Sequence, residues 1–198
     1  MGLELEYIKG QTPIEEEEKE KLKIKTISTR GELNEFEQAN IEKAIEWSLK
    51  TNPSYNKILT IDFIIEVHKR MFDQVWGWAG EFRKTNKNIG VDKYQIPLEL
   101  TKLLDDCRYW IENNVYPEDE IAIRFKHRLV EIHPFPNGNG RHSRLCADIL
   151  ISKGLKKEIF TWGSKNITDK GETRTEYLNA IYEADKGNIK PLLVFARK

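Results

Sequence analysis

Residues 131–145 read EIHPFPNGNGRHSRL, and this stretch limits the possible folds more than any other part of the chain. Apolar residues at helical spacing lead into it (Ile121, Phe125, Leu129, Ile132) and away from it (Leu145, Ile149, Leu150). Between them stand Pro134 and Pro136, which cannot continue the incoming helix, and Asn137-Gly138-Asn139-Gly140, whose residues tolerate positive φ. The chain must end one helix near position 132, turn sharply, and begin another directly behind the glycines.

Such a turn has chemical consequences. Backbone N–H groups converging behind a glycine-rich loop, at the positive end of a helix dipole, form a ready anion site. Arg141 and Arg144 are three residues apart, so they share one face of the new helix's first turn and can fork onto phosphate oxygens. Cations at a helix N-terminus oppose the dipole, so stability alone does not explain them. His133, at the end of the preceding helix, is placed to face the same pocket. The two arginines are expected to depress its pKa and keep it neutral, as a general base for a hydroxyl nucleophile must be. Asn-Gly alone marks a turn, and a histidine before proline alone marks a helix end. Their combination with two arginines within twelve residues points to one phosphate-binding pocket with a base beside it.

The remaining pattern is mainly α. Thr12-Pro13-Ile14-Glu15 reads as a capping box opening a charged helix through EEEEKEK, and Thr29-Arg30-Gly31-Glu32 as a second one. Leu33, Phe36, Ile41, Ala44, Ile45 and Leu49 follow the second box at roughly helical spacing. Further helices are expected after Thr60, across Leu100–Ile111, up to Ile132, from Leu145 to a stop at Gly154, and from about Thr173 to Asp185, with a short apolar tail at 191–195. Residues 83–97, RKTNKNIGVDKYQIP, resist a helical reading and suggest one small β-hairpin or extended flap. The expected organisation is an N-terminal helical extension over 1–54, packed on a single domain over 55–198.

Composition narrows the function classes. Lys plus Arg equals Asp plus Glu at 32 each, so no global charge draws the chain to nucleic acid or membrane. No apolar run approaches membrane-spanning length, and MGLELEYIKG has neither the basic nor the apolar region of an export signal. Cys107 and Cys146 are far apart and lack metal-ligand spacing, which suits a reducing cytoplasm. The gaps of six and nine residues between His133 and its neighbours His127 and His142 do not fit a histidine-based zinc site.

HPFPNGNGRHSR, residues 133–144, resembles the signature of the Fic (filamentation induced by cAMP) domain family, His-Pro-Phe-x-Asp/Glu-Gly-Asn-Gly-Arg-x-x-Arg, and departs from it at one position. WAGEFR at 78–83, the flap after it, IRFKHRLVEI, and EYLNAIYEADKGNIKPLLVF extend the resemblance over roughly 55–196. The compact size and ELNEFEQANI look most like the small subfamily called mobile mystery protein B. The resemblance implies a Fic helical bundle with one hairpin flap, and transfer of AMP from ATP to a Ser, Thr or Tyr hydroxyl of a target protein.

Carried over by position, the resemblance makes His133 the base and Phe135 the loop's anchor in the core. Gly138, Asn139 and Gly140 become the anion hole, with Arg141 on the α/β-phosphates and Arg144 on the γ-phosphate. Tyr177 and Asp185 become adenosine-pocket residues, unless they are ordinary helix surface. Ile89, Gly90 and Val91 lie in the flap that aligns a target backbone. Asn137 stands where the family has the Asp or Glu that holds Mg²⁺, and its neutral amide is a weaker ligand for Mg²⁺ or Mn²⁺. Ser28-Thr29-Arg30-Gly31-Glu32 resembles the start of the family's inhibitory helix, in which Glu32 would pair with Arg144. Glu32 is equally explained as the N3 residue of a capping box. A separately encoded helix-turn-helix partner, mobile mystery protein A, is implied too. Two other functions remain open: Doc-like phosphotransfer from the γ-phosphate, and a nucleotide-binding regulatory module whose catalysis was lost with the carboxylate at 137.

Overall fold

The computed structural model describes residues 12–164 and 171–198. The first eleven residues, with the expectation that they carry no export signal, lie outside this range. The described residues form nine α-helices and no β-sheet. A single antiparallel bridge joins Leu22 to Trp76. No helix among them is long and apolar enough to cross a membrane.

In chain order the helices are α1 (Glu16–Lys19), α2 (Arg30–Lys50), α3 (Tyr55–Ile58), α4 (Ile61–Phe72), α5 (Ile96–Glu112), α6 (Glu118–Ile132), α7 (Asn139–Ile149), α8 (Glu172–Asp185) and α9 (Lys190–Arg197). α6 and α7, the two helices flanking the proline–glycine loop, pack on each other at the centre. One side of this pair meets α4 and α5, where Phe63, Ile64, Met71, Phe72, Leu103, Leu104, Phe125, Leu129 and Phe135 form the main core. The other side presents Ala122, Ile123, Ala147 and Ile151 to Tyr177, Ala180, Leu192 and Phe195 of α8 and α9. Each large side chain buried in these cores contributes about 1.5–3 kcal/mol by leaving water. The small residues at 122, 147 and 180 bring the backbones close. The expected apolar tail is helix α9, started by Pro191 in its first turn.

α2 is capped as its sequence predicts. Thr29 Oγ1 accepts from Glu32 N at 3.3 Å, and the Glu32 carboxylate accepts from Thr29 N at 3.1 Å. Its inward stripe is not the one its apolar residues suggest. Phe36, Ile45 and Leu49 are exposed, while Leu33, Glu37, Asn40, Ile41, Ala44 and Ser48 are buried against the body of the fold. The polar members of this stripe are all satisfied. Asn40 donates to Arg70 O and accepts from Gln74 N, each at 2.9 Å, which locks α2 to the end of α4.

The first expected capping box is corrected. Glu15, not Thr12, caps α1, which is a single turn, and Thr12 extends away from it toward the central loop. The expected hairpin at 83–97 is also replaced. Residues 83–92 form an irregular loop ending in a 3₁₀ turn at Lys93–Gln95, which leads directly into α5. Arg83 explains why no ladder forms. Its guanidinium is buried and donates to the carbonyls of His133 (2.7 Å), Thr85 (2.8 Å) and Val91, taking up acceptors that a strand pair would need.

Candidate active site

His133 ends α6 in the left-handed conformation (φ 55°, ψ 58°), a strained state for a non-glycine residue that turns its side chain off the helix axis. The surroundings fix this geometry. Arg83 Nε donates to His133 O, Arg83 N donates to Pro134 O at 2.9 Å, and Val91 N donates to Ile132 O at 3.3 Å. Gly90 (φ +103°) passes so close that a Cβ there would lie 2.8 Å from His133 Cβ. The flap residues Ile89, Gly90 and Val91 are thus wedged beside the histidine, and all three line the cleft.

The loop is stapled from inside. Phe135 is fully buried and stacks on the His68 ring at 3.7 Å between centroids, 9° from parallel. His68 Nδ1 accepts from Gly80 N at 3.0 Å, so its Nε2 carries the proton and donates to Asn137 O at 3.1 Å. The Asn139 side chain closes the turn on itself. Its Oδ1 accepts from Phe135 N at 3.0 Å and its Nδ2 donates to Phe135 O at 2.8 Å. Asn139 therefore shapes the turn with its side chain, whose two polar atoms are both taken up by Phe135. Gly138 (φ +79°) stands against Phe72, where a Cβ would come within 2.5 Å of the ring. α7 begins immediately after it, and the first-turn N–H groups of a helix have no partners within the helix.

The protonation of His133 follows from its partners. Nδ1 faces the carbonyl of Val130 at 3.3 Å, which can only accept, so Nδ1 bears the proton and Nε2 holds the lone pair, which faces the Thr12 hydroxyl at 3.1 Å. Burial pushes its pKa down to about 4, assisted by the positive charges of Arg83 and Lys87. The histidine is neutral as expected, but the cause differs from the sequence expectation: burial leads, and the cations are those of the flap rather than Arg141 and Arg144.

A cleft of about 600 Å³ runs from His133 across residues 137–141 to Arg144, Tyr177 and Asp185, so the loop and the two α8 residues singled out in the sequence border one space. Arg144 lies over the Tyr177 ring at 5.3 Å. Burial alone would raise the Tyr177 phenol, but Lys126 and Arg144 beside it bring its pKa down to about 8. Asp185 accepts from His127 Nε2 at 2.8 Å, at the rim.

Two glutamates of α2 behave differently from the sequence reading. The Glu32 carboxylate is occupied by its cap, accepting from Ser28 N at 2.8 Å as well as Thr29 N, and the Glu32–Arg144 pair is not formed. The carboxylate that reaches the loop is Glu37, five residues on. It is 2% exposed, accepts from Trp76 Nε1 at 2.7 Å, and binds Arg141 Nη1 at 2.7 Å. Glu37, His68 and Arg83 were not singled out as site residues from sequence, and Thr12 was read only as a helix cap. The only signal for Glu37 was a carboxylate on the Leu33/Ile41 side of α2.

The side-chain amide of Asn137 is engaged at both ends. Its Oδ1 accepts from Gly138 N at 2.7 Å, and its Nδ2 donates to Thr12 O at 2.9 Å. No cluster of three or more His, Cys, Asp or Glu side chains suited to a metal ion occurs among the described residues.

Comparison with known proteins agrees with this architecture. The model of the Fic/DOC family matches residues 58–151. The chain is 29% identical over 144 residues to the protein adenylyltransferase Fic of Drosophila grimshawi, an alignment covering 69% of this chain and 28% of that protein. The chain thus spans less than a third of that relative's length. Among solved structures, the N-terminal Fic domain of the effector Bep8 from Bartonella sp. 1-1C superposes with a TM-score of 0.67 at 17% identity, covering 90% of each chain. BepC of Bartonella tribocorum, crystallised with AMPPNP, gives 0.65 at 20% identity over 96% of this chain and 93% of its own. These two likenesses establish the shared fold, and the loop at 133–144 lies within the matched segment. Residues 58–151 thus resemble the Fic/DOC family in sequence, and the chain shares its fold.

Proposed function

We propose that this protein is an adenylyltransferase that moves AMP from ATP to a Ser, Thr or Tyr hydroxyl of a protein. The observation that carries this is the position of a neutral imidazole, its Nε2 lone pair already facing a hydroxyl, in the same cleft as the α7 N-terminus, Arg141 and Arg144. The name shared by the curated relatives supports the same reaction.

In this reading, His133 Nε2 takes the hydroxyl proton as the oxygen attacks the α-phosphorus, and the bond to the bridging α–β oxygen breaks to release pyrophosphate. The N–H groups at the start of α7 and the Arg141 guanidinium carry the charge that builds up on the phosphate oxygens. Arg144 binds the distal phosphate, and Tyr177 and Asp185 border the adenosine. With the Asn137 amide engaged at both ends, a Mg²⁺ or Mn²⁺ ion would be held chiefly by the nucleotide and would offset phosphate charge there, and no step here depends on residue 137 holding it. Residues 55–198 act as the catalytic unit. The 1–54 extension covers it through α2, and in this arrangement restraint by Glu32 would require its cap to open first.

Labelling with ATP carrying its label on either the α- or the γ-phosphate tests the reaction, with cell lysate as the source of targets. The expected result is protein label from the α-phosphate that disappears in His133→Ala. Label from the γ-phosphate alone would mean Doc-like phosphotransfer, and bound ATP without label would mean a binding module. The finer placement with mobile mystery protein B rests on ELNEFEQANI and the compact size, and it predicts a helix-turn-helix partner recoverable by co-purification.

A further inference from the structure

The hydroxyl nearest the base belongs to the chain itself. Thr12 Oγ1 lies 3.1 Å from His133 Nε2, 121 residues away in sequence. Since Nε2 carries no proton, the threonine O–H is the donor. Thr12 is 8% exposed and borders the same cleft as Arg141 and Arg144. The segment is held from two sides. Its own carbonyl accepts from Asn137 Nδ2 at 2.9 Å. Just downstream, Glu15 and Glu18 close on the buried ammonium of Lys87 at 2.9 and 2.8 Å, Thr85 Oγ1 donates to Glu15 at 3.1 Å, and Trp78 Nε1 donates to Glu18 O at 3.2 Å. Lys87 and Thr85 are flap residues, so the flap fixes this segment at the base.

The residue at 137 fits this arrangement. Only an amide there can accept from Gly138 N with its oxygen and donate to a peptide carbonyl with its nitrogen. A carboxylate would set its charge against the Thr12 carbonyl oxygen. The one departure of this loop from the family signature is thus the residue that grips Thr12.

We propose that Thr12 is a self-modification site, its hydroxyl accepting an adenylyl group in cis from ATP bound in the cleft. The inference rests on the adenylyltransferase reading above. The Thr12 O–H proton passes to His133 Nε2, a bond forms between Oγ1 and the α-phosphorus, and the bond from that phosphorus to the bridging oxygen breaks. Pyrophosphate leaves with the bonding electrons, giving a Thr12–AMP phosphodiester. The modified side chain can no longer donate to His133, and its bulk must leave the base, which opens the site to an external hydroxyl.

The test is peptide mapping by mass spectrometry after incubating the purified full chain with Mg²⁺ and α-labelled ATP, run beside a lysate-labelling arm. The expected label sits on Thr12, is lost in Thr12→Ala and His133→Ala, returns in Thr12→Ser, and forms at a rate per molecule independent of protein concentration. A rate that rises with protein concentration would place the transfer between molecules and overturn the cis assignment. Labelled lysate proteins with an unlabelled Thr12, and stronger lysate labelling in Thr12→Ala, would make Thr12 a plug rather than an acceptor and leave adenylyl transfer standing. No label in either arm would overturn both.

Discussion

Glu37 Oε2 lies 2.7 Å from Arg141 Nη1, so a buried carboxylate of α2 already holds one of the two arginines at the start of α7. The same glutamate accepts from Trp76 Nε1, which fixes it in place. A phosphate arriving at Arg141 meets a cation whose charge is partly answered.

Glu37→Gln keeps an acceptor for Trp76 and removes the charge. Losing a charged hydrogen bond at this depth should lower unfolding stability by about 1–3 kcal/mol. Freeing the Arg141 charge should tighten ATP binding, by roughly tenfold if about 1.4 kcal/mol of competition is relieved. Chemical denaturation and calorimetric titration of the same variant check the two effects, which run in opposite directions.

Gly90 sits at φ +103°, where an added Cβ would lie 2.8 Å from His133 Cβ and 2.9 Å from Arg83 Nη2. Gly90→Ala should cost about 1–3 kcal/mol from the backbone conformation and the contact together. It should also displace the base, so labelling activity should fall by more than the loss of folded protein explains. Comparing activity per folded molecule, counted by circular dichroism, separates the two.

Asn137→Asp exchanges the amide donor for a carboxylate. The grip on Thr12 O should be lost, and the loop should gain the hard oxygen ligand that Mg²⁺ and Mn²⁺ prefer. Mn²⁺ binding followed by electron paramagnetic resonance in the presence of ATP should strengthen relative to the native protein.

The buried imidazoles set the acid limit. His133 and His142 have pKa values lowered from 6.5 to about 4, and burial drives His68 down as well. Unfolded histidines take up protons below about 6.5 while these do not, so their contribution to stability is complete above that pH and is lost as pH falls toward 4. Burial moves Asp148 the other way, to about 7, so its contribution is present at low pH and lost as pH rises through 7. Denaturation midpoints should decline on acidification across the histidine window, where Asp148 acts in the opposite sense, so Asp148→Asn should steepen that decline. As a base, His133 should stay unprotonated down to about pH 4, placing the acidic limb of the rate profile there and not near 6.5.

The loop and its flanking helices were legible in the sequence because every residue there is locally determined. Prolines end a helix, glycines permit positive φ, and arginines three apart share a face. Helix α9 was readable only as an apolar tail, since eight residues carry little periodic signal. A hairpin is not seen at 83–97, and local alternation around Gly90 does not reveal Arg83, which reaches back to carbonyls of this segment. Glu37 was hidden because a polar residue in a buried stripe breaks the apolar pattern that identifies such stripes, and its partners lie 39 and 104 residues away. Thr12 shows the same limit: its sequence suits a helix cap, and only the folded chain brings it to a base 121 residues downstream.

The central claim is that the bond broken in ATP lies between the α-phosphorus and the bridging oxygen. Phosphorus NMR of the small-molecule product, on a reaction in which protein becomes labelled, tests this most directly. Pyrophosphate should appear in step with labelled protein, with both absent in His133→Ala. ADP as the product accompanying labelled protein would contradict it.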